Sequence, residues 1–590
     1  MEQSSCYLCR QRKVKCDRRK PSCGFCVKNG LGAQCRYIAT QKKHGLRAGY
    51  VSKLEQRLDR LEAEVREMKA QQSQFHRNIP LGTPESDCND ILPASQPSGS
   101  LTISRSSSTA LPITILSSLC NAWFQKYHRW FPILHNLSLL NALEEHSQNL
   151  ELSPLYVVIK AIAAVTLPNT PTQDTFEQYQ REQISNTYRQ EITMHAMDEL
   201  SLPSLQAVLI ITIIELGAGK MSKFWNLLAL CKRYSTIPPP VVQLKLIISE
   251  HRMAMQLGLR DLVVNQCSNF NNASLLPPRM LPLPSTLVEQ EEKIRAYWMT
   301  EVLDASSTMG VGWNLGLMTP EQQSWLPCSD NVWTSPQSFV SVATFGDFDL
   351  SSSFALYVTL VANELYVVHQ FLQQPFDQTT SDGRAKWQSE CRAVDERLQM
   401  WRDSSPLLAS FSGCYDVTSD EMQIVFDPII VMAFAIFDSA IIALYQRLAF
   451  PPAGLDKQHG PFYHAIQRCL DACDEMTSVV RSVKDVDLEN MGPHIIFPIF
   501  VASRFFLVHA KTLGVETPRN LDLLIYSLRL CGQHWQLGRR LHKVLRTAAA
   551  ECEVKGKTTT LPPQFFDLQY SHLDIDKVLE IWAEGQDPVG

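Results

Sequence analysis

The chain has 590 residues, 45% of them hydrophobic and 19% charged, with a formal net charge of −5. That length and apolar content exclude a wholly disordered chain and leave room for a substantial core. Its seventeen cysteines are not expected to build a secreted disulfide scaffold, because the chain starts MEQSSCYLCRQRK without an apolar signal segment. The charge is unevenly divided. Residues 1–50 hold twelve Lys/Arg against two Asp/Glu, residues 51–70 hold five of each, and the remaining 520 carry −15. A basic head on an acidic body points to nucleic acid at one end and protein partners at the other.

Cys6, Cys9, Cys16, Cys23, Cys26 and Cys35 follow the spacing C-x2-C-x6-C-x6-C-x2-C-x8-C, in two similar halves, CYLCRQRKVKC and CGFCVKNGLGAQC. A structural zinc takes four soft ligands in a tetrahedron. Six thiolates satisfy one zinc with two to spare, or two zincs if two thiolates bridge, and the second arrangement uses every cysteine. Such a cluster has a charge of about −2. Arg10, Arg12, Lys13 and Lys15 over-compensate it and leave the first half positive. The second half, Val27-Lys28-Asn29-Gly30-Leu31-Gly32, is nearly free of charge and suits a buttress better than a reader.

These spacings, the R-x-R-K-x-K run and Pro21 resemble the Zn2Cys6 binuclear-cluster DNA-binding domain of fungal transcription regulators, the galactose-regulator type. The resemblance implies two Zn2+ per chain. Cys6 and Cys23 would bridge both metals, Cys9 and Cys16 would complete the first, and Cys26 and Cys35 the second. It also implies a short helix from about Cys9 in the major groove, with Arg12 and Lys13 at the base-reading positions and double-stranded DNA with CGG-like half-sites as partner. Basic side chains suit the O6 and N7 acceptors of guanine. Arg10, Lys15, Arg18, Arg19 and Lys20 are better placed for phosphates, which give affinity without sequence information.

After a linker over 37–50, Val51, Leu54, Leu58, Leu61, Val65 and Met68 recur at alternating spacings of three and four. This is the a/d seam of a parallel two-stranded coiled coil, with attractive Arg57–Glu62 and Glu64–Lys69 pairs across it. The segment over 51–70 is therefore expected to make a homodimer, the alternative being an amphipathic helix packed on its own body. Residues 71–111 are rich in Ser, Pro, Thr and Gly without periodicity and are expected to be a disordered linker.

From residue 112 to about 550 long apolar-periodic segments follow one another, at 113–130, 153–166, 174–200, 203–217, 351–375, 424–449 and 519–549. The fold class is mainly α: a small zinc-cluster domain over 1–36, a short coiled coil, a linker and a large all-α regulatory domain. Leu205–Leu216 and Ile429–Leu444 are apolar, but the first is short and the second carries Asp438, so both are expected to be buried core helices and no membrane partner is expected. The body also resembles the family's middle homology region, in NAWFQKYHRWFPILH (121–135), SLPSLQAVLIITIIELGAGK (201–220), RMAMQLGLRD (252–261), EEKIRAYWMTEVLDASSTMG (291–310) with Trp325-Leu326-Pro327, and IIALYQRLAFP (441–451). Residues 234–251 interrupt that pattern with Pro238-Pro239-Pro240, which no helix tolerates. A surface loop and a retained intron both remain open there.

No nucleophile elbow, P-loop, dinucleotide fingerprint or H-E-x-x-H occurs, so the chain is not expected to be an enzyme. Cys469 and Cys473 read as one helix face. The segment 551–590 contains Phe565, Phe566, Leu568, Tyr570, Leu573 and Ile575 among Asp567, Asp574 and Asp576. It is a candidate activation region for coactivators, against the alternative of a final helix docked on the body. The chain is thus expected to be a nuclear, zinc-dependent regulator of RNA polymerase II genes, with Lys42-Lys43 contributing to import. Activation of a secondary-metabolite cluster is the leading expectation. Repression, or metabolite-sensing control of nutrient catabolism through a small-molecule effector, is the alternative.

Overall fold

The computed structural model describes residues 5–6, 8–9, 12, 14–36, 111–169, 178–232, 259–263, 281–308, 324–334, 352–377, 379–404, 415–417, 424–450, 461–553, 561–566, 568, 579 and 581–582. The expected coiled coil over 51–70, nearly all of the linker and the interruption at 234–251 lie outside these residues. The chain divides into two units, Met1–Ser104 and Arg105–Gly590.

In the first unit the two cysteine halves fold alike. Each C-x2-C pair turns so that the backbone N–H two residues beyond the x2 start points back at the first sulfur. Cys9 N–H donates to Cys6 Sγ at 3.4 Å and Cys26 N–H to Cys23 Sγ at 3.5 Å. A helical turn passes through Leu8 and Cys9, with Arg12 N–H on Leu8 O and Val14 N–H on Cys9 O. In the second half Cys23 caps helix α1 (Gly24–Lys28), and a 3-10 turn, Gly32–Gln34, delivers Cys35. Leu8, Val14, Phe25 and Leu31 pack around the sulfurs.

The second unit is helical, in the order α2 (Ile113–Lys126), α3 (Asn136–Glu145), α4 (Tyr156–Thr166), α5 (Gln178–Asp198), α6 (Leu202–Gly217), α7 (Met221–Lys232), α8 (Leu259–Val263), α9 (Leu287–Thr308) and α10 (Asp330–Thr334). Then come α11 (Ser353–Thr359), a π-helical segment (Leu360–Leu365), α12 (Tyr366–Leu372) and α13 (Ser381–Ser404). Last come α14 (Pro428–Ala449), α15 (Pro461–Ser482), α16 (Asp485–Glu489), α17 (Ile496–Leu513), α18 (Asn520–His534), α19 (Gln536–Glu553) and α20 (Pro563–Phe566).

Three details depart from the sequence reading. Tyr415–Val417 (β1) and Ile424–Phe426 (β2) pair as an antiparallel hairpin, the one sheet among the described residues. The segment expected as a helix from 424 therefore starts as a strand. The helix begins where Asp427 accepts the N–H groups of Ile429 and Ile430 and Pro428 takes the first turn. The segment 519–549 is two helices, because Trp535 adopts an extended backbone between α18 and α19. The segment 351–375 is interrupted by the π-helical residues.

The core sits around α6 and α14. Every residue of α14 except Ile430 and Arg447 is buried, and every residue of α6 except Pro203 and Ile214. Helices apolar on all sides must lie inside a large domain or a membrane. By length and composition Pro428–Ala449 and Pro493–Leu513 pass the test for a span, but 94% and 83% of their apolar stretches are enclosed by this body, so both are core helices. The second of them was not singled out from the sequence. Arg295 of α9 is fully buried and pins distant segments together. It binds Glu291 at 2.7 Å, Asp330 at 2.5 Å and the carbonyls of Pro132 and Cys328, and lies 4.0 Å over the Trp333 ring.

Candidate metal centre and nucleic-acid interface

The six N-terminal thiols converge although Cys6 and Cys35 stand 29 residues apart in sequence. The sulfurs of Cys6, Cys9, Cys16 and Cys23 all lie within 4.8 Å of one another, and so do those of Cys6, Cys23, Cys26 and Cys35. Cys6 and Cys23 belong to both groups of four. Cys9 and Cys23 approach to 3.5 Å, Cys6 and Cys23 to 3.7 Å, and Cys6 and Cys26 to 3.8 Å. A disulfide requires about 2.05 Å, so none of these cysteines is joined in one. A zinc tetrahedron with bonds of about 2.3 Å has edges of about 3.8 Å. The spacing of the sulfurs therefore fits metal coordination, and the cluster is able to hold metal.

Backbone donors polarise the shared sulfurs. The Cys26 N–H holds the Cys23 thiol below its usual range, and at Cys6 the Cys9 N–H and neighbouring thiols outweigh desolvation with the same result. Desolvation pushes Cys26 up to about 12 and Cys9 higher still. Cys23 N–H also donates to Cys35 Sγ at 3.4 Å. Thiolates need such donors around them, since the metal ligand is the ionised sulfur.

Two loops display the charge. Arg12 and Lys15, between Cys9 and Cys16, are exposed, as are Arg18, Arg19 and Lys20 between Cys16 and Cys23. Arg10 and Lys13 lie outside the described residues. The second loop is fastened by Asp17, a residue the sequence reading passed over. Both Asp17 carboxylate oxygens accept the Gly24 N–H at 3.0 Å. A side chain at position 24 would bring its Cβ within 2.6 Å of Asp17 Oδ2, so the latch needs glycine. Within this basic run Arg18 takes φ 60°, in the left-handed region. An Asp directly after the third cysteine and a Gly directly after the fourth were the only sequence signal for this latch, and it is weak.

The carboxyl end differs from one of its two sequence readings. Phe565, Leu568 and Leu579 are buried against the body, and Arg504 of α17 donates from Nε to Phe565 O at 2.9 Å. The docked alternative describes these residues. Cys469 and Cys473 are both buried on α15, as expected of one helix face. Among the described residues, the only clusters of potential metal ligands are the two groups of thiols.

A compact thiol cluster able to hold metal, with exposed cations on its loops, stands in one unit of the chain and a large helical body in the other. The comparisons give the family. "Fungal Zn(2)-Cys(6) binuclear cluster domain" matches residues 4–44 and "Fungal specific transcription factor domain" matches residues 120–403. The notoamide biosynthesis cluster transcriptional coactivator of Aspergillus versicolor is 30% identical over 89% of this chain and 93% of its own length. The citrinin biosynthesis transcriptional activator of Monascus purpureus is 22% identical over 85% of each chain, and a citrinin biosynthesis transcriptional activator of Monascus ruber 24% identical over 56% of this chain and 65% of its own. No solved structure matches. The chain belongs to the fungal Zn2Cys6 transcription factors, a family of DNA-binding regulators rather than enzymes.

Proposed function

We propose that this chain is a nuclear, zinc-dependent activator of a secondary-metabolite gene cluster that binds CGG-type half-sites as a homodimer. The observation that carries the reading is the pair of overlapping thiol foursomes sharing Cys6 and Cys23. Eight coordination positions filled by six sulfurs is what two zinc ions with two bridging thiolates require. Cys9 and Cys16 then complete one site, and Cys26 and Cys35 the other. Such a module holds its basic loops rigidly, and Arg12 with Lys13 can donate to guanine while Arg10, Lys15, Arg18, Arg19 and Lys20 bind phosphates. The activating role and the type of target are supported by the relatives, one named as a biosynthesis cluster transcriptional coactivator and the other as a biosynthesis transcriptional activator. Dimerisation rests on the seam from Val51 through Leu54, Leu58, Leu61 and Val65 to Met68.

The test is a binding selection of the full-length, zinc-loaded protein against randomised duplex DNA, with metal content measured in parallel. The expected outcome is two zinc ions per chain and recovery of paired CGG triplets, lost with a chelator. Lys13→Ala is expected to relax the preference at one base and cost about 1–3 kcal/mol. Binding that is salt-sensitive but without preferred sequence would overturn the reader, and one zinc per chain would overturn the bridged cluster.

A further inference from the structure

The loop that joins the two cysteine halves, residues 17–22, carries three adjacent cations and is tied down at both of its ends. Asp17 stands directly after Cys16, and its two carboxylate oxygens accept the Gly24 N–H at 3.0 Å. Gly24 is the first residue of α1, where a helix leaves its N–H groups without backbone partners. The Arg19 N–H reaches Asp17 Oδ1 at 3.5 Å, and Arg19 Nε lies 3.8 Å from Oδ2. At the other end Ser22 donates its hydroxyl to the Gly32 carbonyl at 2.7 Å, which ties the loop to the 3-10 turn before Cys35.

Between these ties Arg18, Arg19 and Lys20 are all exposed. Arg18 has φ 60°, a conformation that residues with a Cβ avoid. Such a residue persists only where its surroundings over-determine the backbone, and positions of this kind collect at functional sites. The sign of the charge is a second, independent observation. Asp17 is the only acidic residue over 3–50, in a stretch otherwise suited to an anionic polymer. Its side chain is 41% exposed. By Coulomb's law alone a carboxylate there weakens phosphate binding. Against that, cations already held in place need less ordering when they meet phosphates.

We propose that Asp17 is a positioning residue for DNA. Its carboxylate holds the loop so that Arg18, Arg19 and Lys20 meet the phosphate backbone already arranged, and an anionic side chain thereby strengthens binding to an anion. The two effects of this carboxylate oppose each other. Repulsion of phosphate resides in its charge, and the hold on Gly24 in its acceptor oxygens, so substitution separates them. The inference rests on the DNA-binding reading and adds to it a residue that is neither a thiol nor a cation.

The test titrates the full-length, zinc-loaded protein against two labelled duplexes, one with paired CGG triplets and one scrambled, with zinc content measured for every variant. Asp17→Ala is expected to bind both duplexes about tenfold more weakly, since phosphate contacts carry no sequence information. Asp17→Asn keeps an acceptor oxygen without the charge, and as the conservative rescue is expected to restore binding to at least the native level. Gly24→Ala places its Cβ 2.6 Å from Asp17 Oδ2, displaces the carboxylate without removing it, and is expected to weaken binding as Asp17→Ala does. Added to the triple variant Arg18→Ala, Arg19→Ala, Lys20→Ala, Asp17→Ala is expected to have no further effect, because it acts only through those cations. Native or tighter binding by Asp17→Ala would overturn the proposal, as would Asp17→Asn as weak as Asp17→Ala. A further tenfold loss in the triple variant, or loss of zinc from both Asp17→Ala and Gly24→Ala, would overturn it by assigning Asp17 to folding. All four outcomes leave the DNA-binding reading standing. Failure of the native chain to bind either duplex would overturn that reading and this proposal with it.

Discussion

Glu292 shows how a single carboxyl can be made neutral by its surroundings. It lies on α9, beside the buried Arg295 cluster, and accepts the backbone N–H of His135 at 3.1 Å. Burial pushes its carboxyl up to about 7, against the weaker pull of that N–H and of Gln206. A carboxyl whose folded pKa is raised contributes stability that is fully present below its unfolded value and lost as pH rises through the folded one. The relevant window therefore runs from about 4.5 to 7. Glu292→Gln keeps an acceptor for His135 and cannot ionise. The variant is expected to match the native chain near pH 5 and to exceed it near pH 8, by at most about 1.4 kcal/mol per pH unit across that window. Thermal melts of both proteins at the two pH values check this. A variant that is less stable at pH 8 would show that Glu292 is ionised and needed as such.

At the scale of elements, the docked carboxyl end makes the sharpest claim. Phe565 is fully buried and its carbonyl is held by Arg504, itself 2% exposed. Removing a buried phenyl ring costs about 3–5 kcal/mol, so Phe565→Ala is expected to lower the melting temperature of the chain by several degrees. An unchanged melting temperature would mean that the segment is free, as an activation region would be. From the residues alone these alternatives could not be separated, because the same mixture of Phe, Leu and Asp serves an exposed coactivator surface and a docked end. The zinc spacing was legible because its signal is local: six cysteines within thirty-five residues fix their own geometry. Arg295 was not legible, since Asp330 and the Pro132 carbonyl stand 35 and 163 residues away and only the packed fold brings them in. The break at Trp535 and the hairpin before Asp427 were missed because apolar periodicity was followed through both, past Gly532 and Gly538 at the first and Pro428 at the second.

On the scale of the whole molecule the division of charge sets how the chain meets DNA. The first fifty residues carry +10 and the last 520 carry −15. Attraction is thus confined to the zinc unit and its flanks, while the body repels phosphates at low salt. A single unit that contacts a few base pairs binds weakly, and a parallel coil over 51–70 would supply a second unit at an effective concentration of millimolar order. Each phosphate contacted steepens the fall of log K with log salt by about 0.9. Two units should therefore show twice the slope of one. Deleting residues 51–70 is expected to lower affinity for a paired site by about 100-fold or more and to halve the salt slope, while leaving zinc content at its native value. Titrations of labelled duplex at several salt concentrations, alongside sedimentation of both proteins, check the three consequences together. Loss of affinity with an unchanged slope would point to a misfolded zinc unit, which the metal content would reveal. If both affinity and slope survive the deletion, the seam from Val51 to Met68 packs on its own chain, and the paired site must be reached by another dimer contact or read by one copy.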